Sequence, residues 1–182
     1  MRRRRWIVFA AAWLAALVVV EAAGDVKVTT VVADDGRVLA SFTAHSAWTS
    51  EAREIVRSGL ALTFSFEVDL RRPSTIWFDS TLAHVRVAAS VKYDNLTGTY
   101  QMSKLREGRV VQTDKATLEA PVREWMTFFD RVPLEPGQLE PNAEYYVRVR
   151  LYCSPRRTVS LWSMWPFGKD DGSGRADFTF IK

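Results

Sequence analysis

His45 and His84 are the only imidazoles among 182 residues. A Ser–His–Asp relay or a histidine-ligated zinc would have to use one of them. No HExxH, GxSxG or CxxC sequence supplies the other members. His45 stands in a turn ahead of Trp48, and His84 lies on a strand, out of phase with Val85; both are expected to be partly exposed. Glu67 and Asp69 are two apart on a strand, so their carboxylates share one side. Such a pair can flank a sugar, but a solvent-exposed strand face is the ordinary place for it, and that is the expectation here.

Cys153 is the single cysteine, so no intramolecular disulfide can form. Its place at a strand end predicts a buried, unreactive thiol. Asp170-Asp171-Gly172-Ser173-Gly174 with Asp177 suggests a calcium loop but lacks the alternating acids and the distal glutamate. A turn like that at Asp34-Asp35-Gly36 is expected instead. Asn95-Leu96-Thr97 is a glycosylation sequon and equally a turn sequence. No catalytic residue, metal ligand or cofactor is assigned.

One segment asks for a binding role. Leu161, Trp162, Met164, Trp165 and Phe167 place five large apolar side chains within seven residues, preceded by Arg156 and Arg157. Exposed, they would form an apolar patch with a basic rim, suited to an envelope protein or a membrane surface. Folded back, the same loop would plug the open end of the domain.

The N-terminus sets the compartment. Arg2 to Arg5 precede the uncharged run Trp6 to Val20, and small residues follow. This is the layout of an export signal, with cleavage expected after Ala22. The 15-residue run spans about 22 Å as a helix. That is short of the roughly 30 Å hydrocarbon core, so residues 1–22 read as a signal peptide. A retained anchor over residues 6–23 is the alternative. The protein is expected in the periplasm or cell envelope. Removing residues 1–22 takes four arginines and one glutamate from a net charge of +4, leaving +1. Basicity therefore gives no reason to expect nucleic acid as a partner.

The elements that must position these residues are mostly strands. Residues 25–33 and 37–43 flank the Asp35-Gly36 turn. Residues 48–58 read as a short helix capped by Thr49 or Ser50 and ended by Gly59. Leu60, Leu62, Phe64, Phe66, Val68 and Leu70 alternate with Ala61, Thr63, Ser65, Glu67 and Asp69, a period-two pattern that demands a second apolar layer. Further strands are expected over 75–79, 82–93, 99–105, 109–112, 143–152 and 175–181. A helix is expected over 114–131, kinked or restarted at Pro121. Residues 133–141 read as a turn-rich connection and 154–174 as a long loop. This tally predicts a mainly β fold: an antiparallel β-sandwich, immunoglobulin-like or similar, with two short helical insertions, as one domain over 25–182.

Ser58-Gly59-Leu60 with Leu62-Thr63-Phe64, Leu96-Thr97 before Tyr100, and the Thr117–Phe129 and Ala143–Tyr152 segments carry a resemblance. In their order they resemble the exported bacterial family catalogued as domain of unknown function 4390, over roughly Asp25 to Lys182. The resemblance implies a β-rich envelope domain with no established activity. The expectation is a non-catalytic envelope domain that binds a protein or membrane-surface partner. A carrier of an apolar ligand or lipid, covered by the Trp125–Phe129 stretch, is the first alternative and an enzyme the second.

Overall fold

The computed structural model describes residues 26–34, 37–74, 78–155 and 172–180. The elements are β1 (Lys27–Asp34), β2 (Arg37–Thr43), a 3-10 turn (His45–Ala47), α1 (Ser50–Arg57), β3 (Leu62–Arg72) and β4 (Ser80–Asp94). They continue with β5 (Thr99–Arg106), β6 (Arg109–Ala116), α2 (Glu119–Thr127), β7 (Phe128–Leu134), β8 (Glu144–Pro155) and β9 (Gly172–Thr179). All strand pairs are antiparallel. One sheet has the order β1-β2-β7 and the other β6-β5-β4-β3-β8-β9.

The two sheets meet through aromatic side chains. Phe42 of β2 and Phe129 of β7 lie 5.2 Å apart, and each sits 5.1 Å from Phe66 of β3, between ring centres. The fold is therefore a mainly β antiparallel sandwich with two short helices, as the alternation predicts. On β3, Leu62, Phe64, Phe66, Val68 and Leu70 are all buried. Tyr145, Val147, Val149 and Leu151 of β8 continue the same inner surface.

Local chemistry shapes the ends of α1. Thr49 Oγ1 accepts from the Ala52 N–H at 3.2 Å, a side-chain N-cap. Gly59 closes the helix at φ +80°, a conformation that favours glycine. Leu60 and Ala61 then cross from helix to sheet outside the ladder. Leu60 is consequently 54% exposed and not the sixth inward residue of the strand.

Several boundaries differ from the sequence reading. The helix expected over 114–131 is confined to Glu119–Thr127; β6 runs to Ala116 before it, and β7 occupies Phe128–Leu134 after it. Pro133 is accommodated because β7 pairs on one side only, with β2. Phe78 and Asp79 lie outside any strand, and β4 starts at Ser80. The expected strand residues 75–77 lie outside the described residues. β8 extends to Pro155 and β9 begins at Gly172, so the long loop is shorter at both ends. At Gly174 a Cβ would fall 1.8 Å from the Val26 carbonyl oxygen, so this strand position has room only for glycine.

Candidate functional site

The polar groups with the most elaborate chemistry stand on the outer face of the six-stranded sheet. Antiparallel register sets Asp69 of β3 between His84 of β4 and Arg148 of β8. The next row sets Glu67 between Arg86 and Arg150. The inner faces of the same strands carry Phe66, Val68, Val85, Val87, Val147 and Val149. Strict alternation thus forces the charged side chains together on the opposite side.

Asp69 accepts from His84 Nδ1 at 2.7 Å, Arg148 Nη2 at 3.0 Å and Arg150 Nη2 at 3.2 Å. Glu67 accepts from Arg86 Nη2 at 2.7 Å and from the Tyr152 hydroxyl at 3.2 Å, with Arg150 Nη2 at 2.9 Å. Burial alone would raise both acids. For Asp69, the His84 and Arg148 hydrogen bonds and the Arg150 charge outweigh that and hold the carboxyl below its usual range. For Glu67, Arg86 and Arg150 do the same. Both acids are therefore carboxylates at neutral pH.

The carboxylates are not the exposed pair that the alternation predicts. Asp69 keeps 5% and Glu67 17% of its side-chain surface, whereas Arg150, Arg148, His84 and Arg86 keep 30, 33, 43 and 58%. The acids form a lower layer, and the three arginines with His84 an upper one. The sequence reading missed Arg86, Arg148 and Arg150. The signal was the Val-Arg alternation at 85–87 and 147–150 beside the Glu67-Val68-Asp69 pattern; without the register, nothing showed that the opposite charges would meet.

The Asp69–His84 contact fixes Nδ1 as the paired nitrogen and turns the imidazole's second nitrogen away from the carboxylate, as a general base requires. The ring stands on the outer sheet face and is 43% exposed. His45 is placed differently. The Thr127 hydroxyl donates to the Arg123 carbonyl at 2.8 Å and accepts from His45 Nδ1 at 3.1 Å. A groove of about 810 Å³ opens there, lined by Thr43, His45, Glu119, Ala120, Arg123, Glu124 and Phe128. Glu119 also anchors α2 to α1, accepting from Trp48 Nε1 and Arg57 Nη2, each at 3.2 Å.

Lys104 was also missed. Its ammonium donates to the Phe128 carbonyl at 2.9 Å and lies 4.7 Å from the Phe129 ring centre and 5.1 Å from that of Trp125. Burial lowers its pKa, against the opposing pull of Glu124 and Asp130. The Trp125 side of α2 is thus tied to the sheet by a lysine, with Phe129 already in β7.

The other candidates have varied positions. Cys153 is half-buried against the core. Gly172, Ser173 and Gly174 belong to β9 and Asp177 pairs with Arg175 at 2.5 Å, whereas Asp170 and Asp171 lie outside the described residues. Asn95-Leu96-Thr97 forms the β4–β5 turn with Leu96 exposed. Arg156, Arg157, Leu161, Trp162, Met164, Trp165 and Phe167 lie outside the described residues, as do residues 1–22. Among the described residues, no group of three or more metal-ligating side chains comes together and no helix is long and apolar enough to cross a membrane.

No curated protein and no solved structure matches this chain. One family model does, over residues 21–161, a span covering β1 to β8 and every residue of the Asp69 cluster. The chain belongs to the family described as a domain of unknown function, DUF4390.

Proposed function

We propose that this protein is a non-catalytic exported domain of the cell envelope that binds a protein or membrane-surface partner. The contact is assigned to Leu161, Trp162, Met164, Trp165 and Phe167, with Arg156 and Arg157 at its rim. The observation that carries this reading is where the segment leaves the sandwich. β8 and β9 are paired up to Leu151–Gly172, and β8 stays paired with β3 as far as Pro155 opposite Leu62. Both ends of the 156–171 segment are thereby fixed at one end of the large sheet.

In-cell crosslinking followed by mass spectrometry tests the reading. Trp162→Ala and Trp165→Ala should each abolish partner capture and leave Tm nearly unchanged. A large drop in Tm in both variants would mean that the segment plugs the sandwich, and the proposed surface would be lost.

The groove beside α2 supports a second reading, a carrier. Its volume suits a small ligand. Its charged lining by Glu119, Arg123 and Glu124 fits a polar head better than an acyl chain. Native mass spectrometry of protein from its host should show a bound lipid or ligand if this is right; a consistently empty protein argues against it. An enzyme built on Asp69–His84 is the remaining alternative.

A further inference from the structure

The layered charges on the outer sheet face lead beyond the 161–167 surface and do not depend on it. We infer that this face binds an acidic segment of a protein partner, laid in extended conformation along β8 and held by Arg148, Arg150 and Arg86.

Three features argue for it. The first is the layering. The side chains of Asp69 and Glu67 are largely enclosed, and the arginine side chains above them keep about a third or more of their surface. A ligand approaching from solvent meets cations first, although the cluster is close to neutral in total.

The second is the orientation of the arginines. Their recorded bonds to Asp69 and Glu67 all come from Nη2. The Nε atoms of Arg148 and Arg150 are buried without a hydrogen-bond partner. A guanidinium is planar and trigonal, so with two corners turned inward the third, Nη1, points outward. The acids thus position the cations and fix which edge they offer.

The third is spacing. Arg148 and Arg150 are alternate residues of one strand, about 6.6–6.8 Å apart along it. Acidic residues at alternate positions of an extended peptide have the same repeat. Arg86 stands two strands across in the Arg150 row, about 9.6 Å away. Arg175, in the Arg148 row, is taken up by Asp177 and lies over the Tyr146 ring. Among the described residues, the exposed large apolar side chains are Leu60, Phe78, Leu96, Val110, Val111 and Leu118. None belongs to these two rows, which favours a charged peptide over insertion into a membrane.

The test is fluorescence anisotropy on the exported protein, with a labelled eight-residue peptide alternating Glu and Ser. The expected result is saturable binding that weakens as salt rises. Arg86→Gln should weaken it about three- to tenfold. Arg148→Lys should also weaken it, because it keeps the charge and loses the fork. Both variants should retain the wild-type circular dichroism. A Lys/Ser peptide should not bind. Several outcomes would overturn the inference: no binding at about millimolar peptide, equal binding by both variants, or binding only to vesicles of anionic lipid. The first two would leave the cluster a purely structural ladder, and the third would make the face a membrane contact.

Discussion

At the scale of single residues, Asp69 organises the charged face. Its two oxygens receive His84, Arg148 and Arg150. Loss of its charge would leave Arg148 without its buried counter-ion and Arg150 with Glu67 alone. Asp69→Asn should cost about 3 kcal/mol at neutral pH, the low end for a broken buried pair because the arginines retain contact with water. The pH dependence has a definite sign. The folded-state pKa of Asp69 lies below the ordinary aspartate value of about 3.9. Its stabilisation is complete above that value and disappears as pH falls through the lower folded one. Tm should therefore fall from about pH 4 downward more steeply in wild type than in Asp69→Asn. Glu67, Asp79, Asp94 and Glu140 are also lowered. They are present in both proteins, so the difference between the two thermal-melt curves isolates Asp69. Parallel curves would show that the cluster adds nothing to folding. The sequence placed Glu67 and Asp69 on one side of a strand correctly. Their burial depended on arginines about 80 residues away, which local alternation cannot reveal.

At the scale of elements, β7 shows how a periodic pattern misleads. Met126, Phe129 and Val132 are all buried and spaced by three, as on a helix. Only Met126 is helical. In β7, two residues, Asp130 and Arg131, lie opposite Ser41 alone, because Ala40 pairs with Val132 and Phe42 with Phe129. This bulge inserts one residue and shifts the alternation, so an inward spacing of three survives in a strand. Ser41 secures it, donating to Asp130 Oδ1 at 2.8 Å and accepting from the Arg131 N–H at 3.1 Å. Arg131 adopts φ +48° there. From this strand Phe129 stacks on Phe42 and meets Phe66 edge to face. Phe129→Ala should destabilise the protein by about 3–5 kcal/mol in chemical denaturation, while Leu118→Ala, at the exposed start of α2, should change it by less than about 0.5 kcal/mol. Similar small effects for both would mean that β7 contributes little to the core.

At the scale of the whole molecule, the proposed leader precedes a sandwich of two antiparallel sheets, one of which carries the Asp69 cluster on its outer face. Protein recovered from the envelope should have an intact mass lacking residues 1–22 and begin at Ala23. A mass that includes them would establish the retained anchor. What the sequence determined by itself was most of the strands and the apolar layer. Those follow from alternation, turn residues and composition, all local in the chain. The β3 stripe, the Thr49 cap and the Gly59 stop were readable for that reason. What only the tertiary structure decided was which strands became neighbours. Pairing β3 with β4 on one side and β8 on the other brought Glu67 and Asp69 under Arg86, Arg148, Arg150 and His84. The energy of a charge depends on what stands within a few ångströms of it and on how much water is excluded. Both are set by register between distant segments, so the same carboxylates that looked like ordinary surface acids became the lower layer beneath Arg86, Arg148 and Arg150.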